Sequence, residues 1–225
     1  MTPELELLAA WEAAAAAAPP ARGAALLHAA DPRLSLDELL RLPVGRLDTR
    51  LVALRQAWFG DALTGMTTCA HCGARAELEL RLSDFPREDD VPETFAVGEL
   101  QCRLPDTRDL LAIASLDAES ARRALAMRIA GAGTLSDETV DAIARALEKA
   151  DPGGDVRIAA SCPECDGGCE AVFDPSSFLW SEVNAAAVRL LRDVHALAAA
   201  YGWTEEEALT LPASRRRLYV AMVSS

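Results

Sequence analysis

Apolar residues in the first part of the chain recur at helical spacing. Leu5, Leu8 and Trp11 share one face of a segment that reads as a helix from Glu4 to Ala18, ended by Pro19 and Pro20. Ser35 and Glu38 have the spacing of a capping box, in which the hydroxyl satisfies an orphan amide and the carboxylate reaches back. A short helix should follow and stop at Pro43. Leu47, Leu51, Leu54, Trp58 and Phe59 then predict a longer amphipathic helix from Arg46 to Leu63, with Gly60 positioned to cut it short.

The period then changes. Thr68 to Gly73 reads as a tight turn, and Ala76 to Leu82 alternates polar and apolar residues at period two, the pattern of a half-buried strand. Pro86 to Asp90 is a charged, proline-bearing loop, and Phe95 to Leu104 predicts a hairpin turning near Gly98. Helical spacing returns over Arg108–Ala114, Ala118–Ile129 and Asp137–Ala150, with Asp117 and Ser136 as N-caps of the last two. Asp151-Pro152-Gly153-Gly154 is turn punctuation. A strand over Asp155–Ala160 and an extended piece around Glu170–Phe173 follow.

Asp174 and Pro175 then open a long helix that Gly202 stops. Leu179, Val183, Ala187, Leu190, Val194, Leu197 and Tyr201 form its apolar seam, which is either core or a groove-filling face for a partner helix. Thr204 and Glu207 form a second capping box, Pro212 breaks that helix, and a last short one runs through Arg215 to Met222.

These elements predict an α+β fold, predominantly helical. A small zinc-ribbon-like β element carries a helical insertion and is followed by a long carboxyl-terminal helix and two short ones. The expected parts are an amino-terminal helical region (1–66), a first cysteine knuckle with strands (67–104), the helical insertion (105–152), a second knuckle with strands (153–174) and a carboxyl-terminal helical region (175–225).

Composition narrows the function. The 225 residues are 51% hydrophobic, enough to build a sizeable core. The 22 basic residues face 35 acidic ones, and a net charge of −13 speaks against nucleic acid as partner, since that affinity rests on neutralising phosphates. No apolar run approaches membrane-spanning length, and the acidic amino terminus lacks a signal-peptide layout, so a cytoplasmic location is expected. Three histidines leave little material for His-based catalysis, and no phosphate-binding glycine loop or nucleophile elbow occurs. The expectation is a protein that is not an enzyme and takes no small-molecule substrate.

The candidate chemistry lies in six cysteines. Cys69 and Cys72 form one CxxC pair, Cys162 and Cys165 another roughly ninety residues on, a separation that loop-closure entropy tolerates. Each pair supplies half of the four thiolates that tetrahedral zinc requires, and four thiolates close a site, so one structural zinc per chain is expected rather than a catalytic one. A redox dithiol is the alternative, but it should open a helix, and neither pair does. Buried cysteines without metal are the plainest reading. His71 and Cys169 are possible accessory ligands, and Cys102 reads as core. A faint echo links the knuckles: Glu77 and Phe85 stand at the same offsets from the first as Glu170 and Phe178 from the second. Glu205-Glu206-Glu207 reads as a solvated helix start, and Arg215-Arg216-Arg217 as partners for carboxylates.

Three pieces together resemble a known family: the Cys69-Ala70-His71-Cys72-Gly73 knuckle, Arg103-Leu104-Pro105-Asp106-Thr107-Arg108-Asp109-Leu110, and the stretch from Cys162 to Val223 with Ser177–Glu182, Leu190–Ala198, Tyr201–Glu207 and Arg215–Tyr219. In this order they resemble the bacteriophage T4-type baseplate hub assembly chaperones, in the zinc-ribbon versions found in phage tail and phage-like contractile injection clusters. The resemblance runs from Cys69 to the carboxyl end. It implies a non-enzymatic assembly factor that binds hub or spike-side baseplate proteins, with Trp180, Tyr201, Trp203, Arg216 and Tyr219 on the partner face, since aromatics and Arg dominate interface hot spots. A zinc-ribbon adaptor or a thiol-redox protein is the alternative function.

Overall fold

The computed structural model describes residues 2–84 and 92–223. Phe85 of the echo and the Pro86–Asp90 loop lie outside the described residues. The fold is α+β and mainly helical, with three two-stranded antiparallel sheets among those residues.

The chain opens with α1 (Pro3–Ala16), and Pro19–Ala21 makes a 3-10 turn into α2 (Arg22–Ala30), a helix that the sequence pattern did not single out. Its run of small and apolar residues has no polar face: Gly23, Ala24, Ala25, Leu26 and Leu27 are all buried, as suits a central helix. The short helix after Ser35 is α3 (Leu36–Arg41), but the Ser35 hydroxyl makes no capping hydrogen bond, so the box expected with Glu38 does not form. Next, α4 (Val44–Phe59) ends earlier than its apolar pattern suggested. Gly60 adopts φ +86, a conformation that side-chain-bearing residues rarely take, and the chain turns directly into β1 (Ala62–Thr68). Leu63 therefore belongs to a strand, not to the helix.

The first hairpin is completed by β2 (Arg75–Arg81). A second hairpin, β3 (Thr94–Val97) and β4 (Leu100–Arg103), turns at Gly98 as expected. The insertion helices are α5 (Thr107–Ile113), α6 (Ala118–Ala130) and α7 (Asp137–Ala150), the last two capped by Asp117 and Ser136. A third hairpin, β5 (Val156–Ser161) and β6 (Gly168–Phe173), leads into α8 (Pro175–Tyr201), α9 (Glu205–Thr210) and α10 (Ala213–Val223). Asp174 caps α8 through the Ser177 amide, and Thr204 and Glu207 form the expected box on α9.

The long helix is the spine. Leu179 and Val183 enter the core built by α1 to α4, around Leu26, Leu39 and Leu51. One turn on, Ala187 packs with Leu8 and Leu209, with Leu190 and Val194 against them. Most of the α8 seam is thus internal core, and only Tyr201 at its end is exposed, at 42%. The second hairpin differs from expectation in allegiance. It packs on the insertion, where Cys102, Ala126, Ile129, Val140 and Ile143 form a separate core. Cys102 is core, as its strand position suggested.

The Arg103–Leu110 segment is held by charge. Asp109 is fully buried and accepts from Arg103 at 2.6 and 2.8 Å, from Arg128 at 3.0 Å and from the Asp106 amide at 3.0 Å. Burial works against the charge, yet these donors hold its carboxyl down at about 2. A carboxyl whose folded value lies below its ordinary 3.8 stabilises the fold above that ordinary value and loses the effect as pH falls toward 2. Acid titration followed by circular dichroism should therefore show a loss of about 2 kcal/mol over this range that Asp109→Asn no longer shows.

Candidate metal centre

Two hairpins of the same design carry the cysteine knuckles at their tips. In the first, β1 and β2 pair up to Thr68 and Arg75, and in the third, β5 and β6 pair up to Ser161 and Gly168, leaving tips 69–74 and 162–167 of equal length. Each tip is closed by the same two backbone bonds. The Cys69 amide donates to the Ala74 carbonyl at 2.8 Å and the Gly73 amide to the Cys69 carbonyl at 2.9 Å. In the second knuckle the Cys162 amide donates to the Gly167 carbonyl at 2.8 Å and the Asp166 amide to the Cys162 carbonyl at 3.0 Å.

The two tips bring four sulfurs together. The Sγ atoms of Cys69, Cys72, Cys162 and Cys165 all lie within 4.8 Å of one another, with 3.7 Å between Cys69 and Cys165 and 3.6 Å between Cys72 and Cys162. A tetrahedral ion with sulfur ligands at about 2.3 Å needs sulfurs about 3.8 Å apart, so the donor set has the size of a four-thiolate metal site. Both close pairs run between knuckles, so a shared ion would bridge the two hairpins. The first cysteine of each pair is buried and the second exposed.

The electrostatics fit a cation. Amides of Cys72 and His71 donate to the Cys69 sulfur and bring its thiol down to about 6. The Ala74 amide acts the same way on Cys72, but the Cys162 and Cys165 sulfurs outweigh it and push that thiol up to about 12. The Gly167 amide faces Cys165 as Ala74 faces Cys72, and the Cys72 sulfur acts with it, but the Cys69 and Cys162 sulfurs together with burial leave the thiol raised. Four thiolates at this spacing repel one another, and a bound dication removes that repulsion.

Neither accessory candidate joins the cluster. Cys169 is buried on β6 beneath it, packed with Cys69 and Cys162, and burial together with those two sulfurs pushes its thiol up to about 11. It is a floor, not one of the four clustered sulfurs. His71 is exposed, and its ring lies over Gly167 of the other knuckle, where a Cβ would come within 2.9 Å of it.

One equivalent position carries the left-handed turn in both knuckles with a different residue in each. Gly73 has φ +74, and Asp166 takes the same left-handed turn with φ +55. Asp tolerates this region better than most residues, at some cost relative to Gly. Asp166→Gly should therefore raise stability by about 0.5–1 kcal/mol, whereas Gly73→Ala should lower it by at least as much, both read by denaturant titration of the metal-loaded protein.

A buried arginine seats the first hairpin on the spine. Arg55 of α4 gives two bonds to Glu182 of α8, at 2.8 and 2.7 Å, and its remaining arm reaches the carbonyls of Gly60 and Ala62 at 2.7 and 2.6 Å. Beside it, Leu63, Leu82, Phe173, Ile158 and Phe178 pack together, joining both metal-bearing hairpins to α4 and α8. At the strands, Thr67 donates to the Glu170 carbonyl at 3.3 Å, the one place where the echoed Glu170 position touches the other hairpin's strand among the described bonds.

The five residues expected on a partner face do not form one surface. Arg216 is 4% exposed, with its guanidinium 3.1 Å from Glu4 and 3.5 Å from Asp193, so it ties α10 to α1 and α8 instead of facing outward. Trp180 is half-buried under Arg22, 4.7 Å from its ring, at the far end of α8, about 30 Å of helix away from Tyr201. Tyr201, Trp203 and Tyr219 do come together, with centroids 4.9 to 5.9 Å apart. Leu218 and Met222, exposed at 62% and 66%, lie one turn apart on α10 and were not anticipated, because a short Arg-rich helix gave no reason to expect an open apolar edge.

Compared with known proteins, the chain matches no family model, no curated protein and no solved structure. Among the described residues, no helix is long and apolar enough to cross a membrane.

Proposed function

We propose that this protein is a non-enzymatic assembly chaperone or accessory protein for the baseplate hub of a phage tail or phage-like contractile injection system, built around one structural zinc per chain. The zinc is held by Cys69, Cys72, Cys162 and Cys165. Four thiolates leave no position for water or substrate, so its work is to fix two distant hairpins against the helical spine. The working surface is then the carboxyl-terminal end, and the observation that carries this is the cluster of Tyr201, Trp203 and Tyr219 beside exposed Leu218 and Met222. Aromatic rings with an apolar rim suit a protein partner. The order of motifs from Cys69 to Val223 supports a spike-side or hub protein as that partner, and the protein would act in the cytoplasm, where such particles are assembled.

Co-expression with the spike and hub proteins of its own gene cluster should give a stable complex. Trp203→Ala combined with Tyr219→Ala should abolish co-purification while helical content and metal content stay unchanged. Leu218→Glu with Met222→Glu, at side chains already in solvent, should weaken it by about ten-fold or more without touching the fold. Undiminished co-purification of both double variants, or no complex with any baseplate protein, would contradict the proposal.

A further inference from the structure

Between the amino-terminal helices, the insertion and the root of the third hairpin lies a cavity of about 590 Å³, within the range of small-molecule pockets and larger than one amino-acid side chain would fill. Leu47, Leu110, Leu125, Leu147 and Phe173 give it an apolar body. The charged side chains that line it among the described residues are all carboxylates: Asp48, Glu148, Asp151, Asp155 and Asp174. Most of them have other work. Asp151 accepts from the Gly45 amide at 3.0 Å, Asp155 pairs with Arg157 at 3.0 Å, and Asp174 caps α8 through Ser177 at 3.1 and 2.6 Å.

Asp48 is different. It stands on α4 and lines the same cavity as Asp174 and Asp151, and burial followed by those two carboxylates pushes its carboxyl up to about 8. A cation placed in the cavity would reverse that pressure and favour the carboxylate. A metal ion suits the site poorly. Among the described residues only the cysteine cluster brings metal-ligand atoms together, and leucine and phenylalanine walls call for an apolar body on the ligand.

We propose that this cavity binds a small organic ammonium ion, a primary amine on an alkyl or aryl stem, with Asp48 as its counter-ion. The stem lies against the leucines and Phe173, and the ammonium group meets the Asp48 carboxylate. This site is independent of the assembly role and of the metal centre.

Calorimetric titration of the full metal-loaded chain near neutral pH tests it, with 2-phenylethylammonium as probe. The neutral 2-phenylethanol and the anionic 3-phenylpropanoate, at the same ionic strength, are the comparisons. The ammonium should bind at least about ten-fold more tightly than the alcohol, and the carboxylate should not bind. Asp48→Asn should cut ammonium affinity by about ten-fold or more and leave the alcohol unchanged. Ala144→Phe, which puts a ring into the cavity from α7, should weaken binding of both, with circular dichroism verifying the fold. Equal affinity for ammonium and alcohol, no saturable ammonium binding, or full binding retained by Asp48→Asn would each overturn the proposal.

Discussion

Cys162→Ser is expected to release the metal and lower the stability of the folded chain by about 5 kcal/mol or more. Cys162 is fully buried and belongs to the knuckle on the far side of the insertion. Removing its sulfur leaves three ligands and frees the two hairpins from each other. The packing they keep, around Leu63, Phe173 and Ile158, is a small cluster set against the helical cores. With total stabilities of about 5–15 kcal/mol typical of domains, such a loss leaves little margin. Denaturant titration of the wild type and the variant, each in buffered zinc, reads it as a fall in the midpoint. Cys102→Ser is the control, since Cys102 is equally buried but lies in the insertion core. It should keep the metal and cost about 1–3 kcal/mol, the penalty of a hydroxyl in an apolar site. Equal losses for the two variants would mean that the four-sulfur cluster has no special part in folding.

Arg55→Ala is expected to cost about 3–5 kcal/mol, the second-largest effect of a single change. The guanidinium is 6% exposed, and its loss strands Glu182 together with the carbonyls of Gly60 and Ala62, where α4 gives way to β1. Lysine cannot repair this. Its ammonium lacks the planar fork that meets a carboxylate with two parallel bonds while a third donor faces two carbonyls, so Arg55→Lys should recover less than half of the loss. Glu182→Gln, which keeps an acceptor for the same arm, should cost less than Arg55→Ala. Thermal and urea unfolding of the three variants gives the order directly. An Arg55→Ala protein as stable as the wild type would show that the α4–β1 junction is held by apolar packing alone.

Much of the local structure was legible because it depends on neighbours in sequence. The caps at Asp117, Ser136, Asp174 and Thr204, the turn at Gly98 and the strand alternation after Ala76 all follow from short-range chemistry, and the structure keeps them. The four metal-binding candidates were legible for another reason. A CxxC pair supplies only half a site, so two such pairs point at each other across any length of chain, and their sulfurs do meet. Failures came where a tertiary contact decides. Ala62 and Leu63 closed the helix expected from Arg46, but Gly60 and the pairing with β2 draw them into a strand that runs on to Thr68. Ser35 has the residue type and spacing of a cap and makes no capping bond.

Charged residues were legible only in part, for the same reason. The Arg215–Arg217 run was expected to meet carboxylates, and Arg216 does meet Glu4 and Asp193, but it turns inward to do so and leaves the partner face it was also expected on. Arg55 carried a signal that could have been used. It falls one helical step after Leu51 on the apolar stripe, where a charge must be paired if it is to be buried, although nothing local names Glu182 as the partner. Asp48 gave no signal at all, since its neighbours Asp151 and Asp174 come from distant parts of the chain.

The most direct test of a shared metal site is elemental mass spectrometry on protein purified without chelator, with Cys69→Ser, Cys162→Ser and Cys169→Ser alongside. The expected result is one zinc per chain in the wild type and in Cys169→Ser, and less than about a tenth of that in either knuckle variant, because each knuckle alone holds half a site. Zinc retained at full content in both knuckle variants, or absent from the wild type with its thiols oxidised in pairs, would contradict a single ion joining the two hairpins.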